Sequence, residues 1–276
     1  MTATHPTPAS LRRVEDRDRP GFGPLLRQWR QRRRVSQLDL ALAADVSARH
    51  VSFLETGRSR PSREMVLRLA ERLDVPLRDR NPLLLAAGFA PSYPQRAFED
   101  PALAPVREAV AAILAGYEPY PALAVDRGWN LVAANAGIAA LTAPAAPALL
   151  APPVNVLRLS LHPDGMAPRI LNLAQWRQHV LGRLAREAAA SADGGLAELH
   201  RELARYPGGT GAAGPETGGP EQAVAVPLRM LVDGRELSFL STVTTFGTAL
   251  DITAAELSIE AFLPANAATA AALRGP

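Results

Sequence analysis

The run from Ser36 to Arg58, SQLDLALAADVSARHVSFLETGR, restricts the folding of this chain more than any other stretch. It predicts two short helices joined by a tight turn at Asp45 and Val46. Ser36 and Ser47 occupy the positions of helix N-caps, where a serine oxygen accepts a hydrogen bond from an otherwise unpaired amide of the first turn. The pattern is therefore that of two capped helices rather than of one long helix.

Each of the two predicted helices has a side that faces a core. In the second helix, Val51 and Leu54 lie three residues apart and therefore share one side, close to Glu55. In the first helix, apolar residues at helical spacing predict the same arrangement. They are Leu38, Ala41 and Leu42.

The opposite side of the second helix carries residues that a helix does not usually expose. At about 100° per residue, Arg49 and Phe53 point away from Val51 and Leu54. An α-helix fits the major groove of DNA, where an arginine reaches both guanine acceptors and an apolar ring contacts a thymine methyl group. This side therefore predicts a recognition helix.

The same run is similar to the helix-turn-helix of the Xre/Cro-like bacterial regulators. The resemblance rests on Ser36-Gln37 at the start of the first helix, Ala41 at the contact between the helices, and the sequence ETGRSRPSREMVLRLAERLDVP. Asp45 departs from the pattern because the turn usually holds glycine, but aspartate tolerates left-handed geometry better than most residues. The resemblance covers residues 22–89 and implies an all-α, five-helix repressor-type domain that binds DNA.

The resemblance also implies an ion pair inside this domain. In the family pattern, a basic residue at the position of Arg30 pairs with the acid at Glu55, and both residues are present. We expect a partly buried pair that fixes the first helix, 22–34, against the recognition helix. A further helix, 62–73, and a fifth, 81–87, are expected to complete the domain.

The expected DNA contacts are of two kinds. Arg49 and its neighbours are expected to face base edges, whereas other groups, including arginines of the following loop, hold phosphates, which position a protein without reading sequence. Gln37, at the start of its helix, is expected to bond a phosphate or to brace the recognition helix. The expected DNA-binding residues are Gln37, Ser47, Arg49, His50, Ser52, Phe53, Arg58 and Arg60.

Charge is distributed unevenly along the chain. Residues 1–90 contain 17 arginines and 10 acidic residues, a net charge of +7, whereas residues 91–276 contain 13 and 17, a net charge of −4. A basic half attached to a mildly acidic one indicates that only the first half faces a polyanion, here double-stranded operator DNA. The alternative is that the arginines merely cover solvated helix faces.

The composition excludes several classes of site. The chain has no cysteine, so disulfides, thiolate zinc sites and a cysteine nucleophile are excluded. No stretch approaches the roughly 20 apolar residues of a membrane span, and Met1 to Ser10 lack the apolar core of a signal peptide. We therefore expect a cytoplasmic protein with no membrane partner.

Proline, glycine and charge patterns divide the chain into four parts. Residues 1–20 mix proline with a charge cluster and are expected to form a flexible arm. Residues 21–90 are the predicted DNA-binding domain, the proline-rich residues 91–101 a hinge, and residues 102–276 a second domain. Within the second domain, PGGTGAAGPETGGPE predicts a flexible loop rather than a phosphate-binding loop, because it has no GK[ST] ending.

The second domain is predicted to mix helices with an antiparallel sheet, which makes it an α+β domain. Ala122 to Val125 and Trp129 to Ala133 predict a hairpin, followed by a helix from Asn135. PPVNVLRLSLHPDG predicts a strand or extended segment that enters a turn. The other expected elements are helices 106–115, 173–189 and 196–206, strands 223–232, 236–245 and 257–263, and a short final helix.

Four stretches of this domain resemble the MmyB-like ligand-binding domain found behind Xre-type helix-turn-helix modules. They are PYPALAVDRGWNLVAAN, PPVNVLRLSLHPDGMAPRI, the tryptophan of LAQWRQHVLGRL, and TTFGTALDITAAELSIEAFLPA. The resemblance covers residues 95–274. It implies a PAS-like sensor fold and a role in transcription control, and it leaves the effector open.

The sequence favours a binding pocket and carries no pattern for catalysis. The five histidines form no zinc motif and no GxSxG sequence is present, so no catalytic residue, metal site or cofactor is predicted. Aromatic and leucine side chains are expected to wall a pocket for an apolar or amphipathic, for example fatty-acid-like, small molecule. The alternative for each polar or aromatic candidate is an ordinary structural role. The expected ligand-binding residues are Trp129, Asn135, Arg158, His162, Trp176, Arg177 and Phe246.

Together these features predict a bacterial, sequence-specific transcriptional regulator that responds to a small molecule. One recognition helix reads only a few base pairs, so a homodimer on half-sites about one helical turn apart is expected. Two alternatives remain open. One is a DNA-binding scaffold whose second domain serves dimerisation or protein-partner binding without a ligand, and the other is a helix-turn-helix fused to an enzyme.

Overall fold

The computed structural model describes residues 20–191, 193–208 and 225–274. The predicted arm, apart from Pro20, and most of the glycine-rich loop lie outside the described residues. The chain forms two compact units, and the main division falls between Gln95 and Arg96. Within the described ranges, no helix is both long and apolar enough to cross a membrane.

In its described residues, the first unit is all-α and has the five helices that the sequence predicts. Its core is formed by apolar side chains from all five, among them Leu26, Trp29, Val51, Leu69 and Leu84. The helices are α1 (Phe22–Arg32), α2 (Gln37–Ala43), α3 (Ala48–Glu55), α4 (Arg63–Arg72) and α5 (Leu77–Ala86).

Local hydrogen bonds set the ends of the two central helices where the sequence predicts them. Ser36 Oγ accepts from the amide of Asp39 at 3.0 Å, and the Asp39 carboxylate bonds back to Ser36, which makes a capping box. Ser47 Oγ accepts from the amide of His50 at 3.1 Å. Asp45 has a φ of +54°, so it adopts the left-handed geometry that this turn requires.

The prediction that Leu38 and Leu42 face the core is wrong, because they are 58 % and 72 % exposed. Ala41 is buried as predicted, and Leu40 and Ala44 are buried with it. The capping box begins α2 at Gln37, so residues 37, 40, 41 and 44 share the side that faces α3. Leu38 and Leu42 lie at least a quarter turn from that side.

The largest differences in helix boundaries within this unit are at the end of α1 and the start of α5. α1 ends at Arg32 rather than at Arg34, because Arg34 has a left-handed φ of +54°. α5 begins at Leu77, ahead of the predicted Asn81. Pro82 lies inside this helix, where the missing amide removes one backbone hydrogen bond without ending the helix.

The expected pair between Arg30 and Glu55 is present and is joined by a third residue. Arg30 donates from Nε to Glu55 Oε1 at 2.6 Å and from Nη2 to Oε2 at 3.0 Å, while Gln37 Nε2 donates to Oε2 at 2.7 Å. The Glu55 side chain is only 3 % exposed. Burial opposes its ionisation, but the hydrogen bonds from Arg30 and Gln37 outweigh burial and lower the pKa of Glu55.

The second unit is an α+β domain whose described residues form one five-stranded, fully antiparallel sheet in the order β2-β1-β5-β4-β3. The strands are β1 (Ala122–Val125), β2 (Leu131–Ala134), β3 (Leu228–Val232), β4 (Arg235–Thr245) and β5 (Ser258–Pro264). The helices are α6 (Ala104–Gly116), α7 (Ala136–Thr142), α8 (Pro147–Leu150), α9 (Val156–Leu161), α10 (Leu173–Ser191), α11 (Gly194–Leu203), α12 (Ile252–Ala255) and α13 (Ala267–Arg274), with 3₁₀ turns at Pro101–Leu103 and Ala167–Arg169.

Alternating residues of the central strands pack into two hydrophobic cores, one on each face of the sheet. Leu123 of β1 and Phe262 of β5 pack with α10 and α11 in the larger core. Ala124 and Ile259, one position out of phase, pack under α6 on the opposite face. Both faces of the central strands are therefore covered.

The prediction of an extended segment in PPVNVLRLSLHPDG is wrong, because α9 occupies its centre. Leu157, Leu159 and Leu161 alternate with polar residues and so mimic the period of a strand. Asn155 favours a helix over a strand here, because its side chain accepts a hydrogen bond from the amide of Arg158 at 3.2 Å and caps the helix. All three leucines are buried, since the helix is surrounded on several sides.

We expect Glu55→Ala to destabilise the first unit by about 3 to 5 kcal/mol, because it leaves the partly buried Arg30 guanidinium without its carboxylate. Hydrogen exchange of peptides from residues 22–86, measured in the full chain, reports this change directly. Glu71→Ala is the matched control, because Glu71 is an exposed acid of the same unit. Equal exchange in both variants would contradict a stabilising role for the pair.

The lowered pKa of Glu55 predicts the direction of a pH effect. A carboxylate whose pKa is lowered by folding adds stability above its ordinary pKa of 4.5, and this contribution is lost as pH falls through the lowered value. The stability difference between wild type and Glu55→Gln should therefore be large at neutral pH and shrink in acid. A difference that stays constant down to strongly acidic pH would refute the assignment.

Candidate DNA-binding surface and effector cavity

Helix α3 buries one side and exposes the other, as its sequence predicts. Val51, Leu54 and Glu55 are buried against the rest of the first unit. On the other side, Arg49 is exposed and Phe53 is partly exposed. Because Glu55 is held by two residues of neighbouring helices, the exposed side has a defined orientation within the unit.

Phe53 lies between two arginines. The Arg49 guanidinium carbon is 5.1 Å from the centre of the Phe53 ring, and that of Arg58 is 5.9 Å away. These distances are typical of cation–π contacts, which favour a guanidinium over the face of an aromatic ring. The exposed Phe53 ring therefore holds two arginine side chains next to each other on the surface.

The positive charges of this surface remain available for a polyanion. Arg49, Arg58 and Arg60 are exposed and make no ion pair with any residue that the structure describes. By contrast, Arg30 is paired with Glu55, and Arg33 donates to the Leu73 carbonyl at 2.8 Å. The unit thus uses some arginines for its own packing and leaves others exposed.

The other expected DNA-contacting residues have different positions. Gln37 is partly buried and donates to Glu55, which is the bracing role expected as one of its two alternatives. Ser47 caps α3 through its own oxygen. His50 and Ser52 are partly exposed on α3, beside Arg49 and Phe53.

The second unit contains an apolar cavity of about 210 Å³ between the sheet and its helices. This exceeds the ~150 Å³ cavity that accommodates benzene in another protein. Leucine, isoleucine, valine, methionine and aromatic side chains provide most of its wall, with a few polar groups among them. The lining residues are Leu123, Trp129, Leu131, Ile138, Leu141, Thr142, Leu150, Val154, Val156, Leu157, Leu159, Ser160, Met166, Trp176, His179, Val180, Arg183, Leu228, Glu260 and Phe262.

Two of the expected ligand-binding residues, Trp129 and Trp176, line this cavity. Trp176 donates from Nε1 to Ser160 Oγ at 3.1 Å, which joins α10 to α9 across the cavity wall. Trp129 donates from Nε1 to Glu187 Oε2 at 3.0 Å and has a φ of +64°. A left-handed conformation is rare for a bulky residue, so the surrounding contacts must hold Trp129 in place.

The other five expected ligand-binding residues are absent from the cavity wall. Asn135 binds the backbone at Ala122 and Tyr120, and Phe246 packs in the core on the opposite sheet face. Arg158 forms a two-bond pair with Glu202, and His162 accepts from the amide of Asp164. Arg177 donates to the Ala204 carbonyl at 2.7 Å.

Sequence reasoning did not select the ionisable residues of the cavity wall, which are His179, Arg183 and Glu260. Arg183 and His179 lie one helical turn apart on α10, but only the sheet brings Glu260 of β5 to them. Arg183 bonds Glu260 and also donates from Nε to Glu187 Oε1 at 3.0 Å. Its guanidinium carbon lies 4.4 Å from the Trp129 ring centre.

The titration of these groups reflects burial. Burial, followed by the positive charges of Arg183 and Arg186, lowers the pKa of His179. Burial raises the pKa of Glu260; Arg183 opposes this effect and the neighbouring Glu187 adds to it. Neither group is placed in a constellation of the kind that metals need, because no cluster of three or more metal-binding side chains occurs among the described residues.

Comparison with known families agrees with both units. Residues 106–275 match the model of the MmyB-like transcription regulator ligand binding domain, and residues 26–79 match a helix-turn-helix model. A comparison with curated proteins finds no match. Both resemblances predicted from the sequence are thereby confirmed. The first match spans more than half of the 276 residues of the chain. The chain therefore belongs to the MmyB-like transcription regulators, with a DNA-binding helix-turn-helix preceding the ligand-binding domain.

Proposed function

We propose that the protein is a one-component transcriptional regulator. Residues 21–90 bind operator DNA in a sequence-specific manner, and the cavity of the second domain binds an apolar or amphipathic small molecule that changes this binding. The observation that carries the proposal is the presence in one chain of an apolar cavity and of an α3 that exposes Arg49 and is held by the bonds to Glu55. The two family matches support both halves of this assignment.

The exposed residues of α3 suggest how operator DNA is read. Arg49 contacts guanine through two hydrogen bonds, and Phe53 contacts a thymine methyl group. His50 and Ser52 face neighbouring base edges. Ser47, Arg58 and Arg60 hold phosphates, while Gln37 keeps α3 in position through Glu55.

The number of base pairs that one helix reads supports a homodimer. A single α3 contacts only a few base pairs, which is too few to define an operator in a genome. Two copies on half-sites about one helical turn apart double the recognised sequence. The hinge expected at residues 91–101 would then connect each DNA-binding domain to its sensor.

The effector acts by binding the DNA-competent and incompetent states with different affinities. The wall of its cavity includes residues of α9 and α10, and a hydrogen bond between Trp176 and Ser160 joins these two helices. An occupant of the cavity therefore contacts several elements at once.

We expect Arg49→Ala to cost about 1 to 3 kcal/mol on the preferred duplex and to relax preference at one base pair. Arg60→Ala should weaken binding to all duplexes alike and reduce the salt dependence, because it loses a phosphate contact. Selection from random duplexes, followed by fluorescence anisotropy at several salt concentrations, measures both. Equal losses of Arg49→Ala on selected and random DNA would exclude base readout.

We expect the full-length protein to bind the neutral apolar probe N-phenylnaphthylamine in the cavity, one molecule per chain. Leu157→Trp, which fills the cavity, should weaken binding at least tenfold. Leu240→Trp is the control, because Leu240 is exposed on β4 and outside the cavity wall. Fluorescence titration and native mass spectrometry measure the affinity and the stoichiometry. Failure of the probe and of all other apolar compounds to bind would favour the scaffold alternative.

A further inference from the structure

Strand β4 extends past its neighbour β3 at one edge of the sheet. Its pairing with β3 ends at Phe239, which lies opposite Leu228. Its pairing with β5 continues as far as Thr245, which lies opposite Ser258. Within the part of the chain that the structure describes, residues 240–245 therefore have a neighbouring strand on one side only.

The chain before β3 does not close this edge. In the register of the two strands, Val226 would lie opposite Ser241, but no backbone hydrogen bond joins these two residues. Pro227, between Val226 and β3, has no amide hydrogen, and its carbonyl accepts from Asn172 Nδ2 at 2.8 Å. The backbone here is thus bonded to a residue outside β4.

The free edge of β4 carries backbone groups that point away from β5. The Ser238 carbonyl accepts from the amide of Ala265 at 2.8 Å, so the even-numbered residues of β4 direct their backbone groups toward β5. This direction alternates along an antiparallel strand, so Ser241, Val243 and Thr245 direct their amides and carbonyls toward the free edge. A row of unpaired groups of this kind is a template for another strand.

Neighbouring segments bond to the outer edges of β3 and β2. Along β3, Leu171 donates its amide to the Arg229 carbonyl at 2.8 Å. Along β2, Leu131 donates its amide to the Val154 carbonyl at 2.7 Å. By contrast, no described segment bonds to the outward backbone groups of residues 240–245.

The side chains of this edge favour strand pairing and carry no charge. Residues 240–245 read LSTVTT and are rich in β-branched residues, which favour strands. Edge strands are commonly protected by a charged side chain, a proline or a bulge, and residues 240–245 contain none of these. Val243 is 46 % exposed and the threonines around it are exposed as well, so the described chain leaves this edge accessible.

A second copy of the chain fits this edge. Two antiparallel copies related by a twofold axis at Val243 place Val243 opposite its own equivalent and Ser241 opposite Thr245 of the partner subunit. The outward amides and carbonyls of all three residues are then paired. Because residues 240–245 are uncharged, no like charges lie opposite one another, whereas a charged peptide would find no complementary charge here.

We propose that β4 pairs with β4 of a second copy along residues 241–245 and joins the two sheets of a homodimer into one antiparallel sheet. Both copies contribute the same surface, as a closed twofold dimer requires. The inference rests on the proposed function only for the expectation of a homodimer, to which it assigns an interface. β5 pairs with β4 and contributes Glu260 and Phe262 to the cavity wall, so one strand separates the cavity from this interface.

Because the chain has no cysteine, a single introduced cysteine provides a direct test. In the proposed dimer the two copies of residue 243 face each other with Cα atoms about 5.5 Å apart, a distance that a disulfide spans. We expect Val243→Cys to form a disulfide-linked dimer when the full-length protein is mildly oxidised at low concentration. Non-reducing electrophoresis measures the linked fraction.

Leu231→Cys is the matched control for this cross-link. Leu231 is 44 % exposed on the same sheet and lies outside residues 241–245, so its cysteine should be linked only by random collision. Equal linked fractions in the two variants would overturn the assignment of the interface.

Opposite charges at residue 243 provide a second test. Val243→Arg and Val243→Glu each place like charges opposite one another in a homodimer, so each should weaken dimerisation roughly tenfold or more. An equimolar mixture of the two variants should form a heterodimer, because opposite charges then meet at the axis. Sedimentation velocity measures the dissociation, native mass spectrometry identifies the heterodimer, and circular dichroism verifies that each variant is folded.

The outcomes separate the interface from the proposed function. A dimer that Val243→Cys does not link and that Val243→Arg does not weaken would overturn the β4 interface and leave the proposed homodimer intact. The same result would follow if another segment of the chain or another protein occupied this edge. A wild-type protein that stays monomeric would overturn both the interface and the homodimer, whereas base readout by Arg49 and binding in the cavity are tested independently.

Discussion

The contact of Arg30 and Gln37 with Glu55 is the interaction on which the DNA-binding unit depends. A recognition helix must expose the residues that read DNA, and it is therefore held only by the side that it buries. Val51 and Leu54 provide apolar packing, which has little directional preference. The three hydrogen bonds that Glu55 accepts define the rotation of α3 about its axis, and this rotation decides which side chains reach a groove.

The same residue type has opposite roles in the first unit. Arg30 and Arg33 have their guanidinium groups bonded to carboxylate or carbonyl oxygens of the unit, whereas Arg49 and Arg58 lie over the Phe53 ring with their charges uncompensated among the described residues. An aromatic ring attracts a cation without neutralising it. Phe53 can therefore gather arginines and leave them able to bind phosphates or bases.

In the second unit, the sheet separates two environments. One face packs with α6, and the other encloses the cavity between β-strands and the long α10. Arg183 and Trp129 both line this cavity, and the Arg183 guanidinium lies over the Trp129 ring. Trp129 has a left-handed backbone and donates a hydrogen bond to Glu187, so its surroundings hold it in a conformation that is rare for a bulky residue.

Local chemistry in the sequence determined the capped helices, the turn at Asp45, the hairpin from β1 to β2 and the families of both domains, because capping, turns and periodicity act between near neighbours. Tertiary structure decided which side of α2 is buried, that α9 is a helix, and where the cavity lies. Arg183 and Glu260 are 77 positions apart, and only the packing of α10 on β5 brings them together. A contact between such distant residues leaves no periodic signal in the sequence. The Arg30–Glu55 pair was predictable because the pattern of the family has a basic residue and an acid at these two positions.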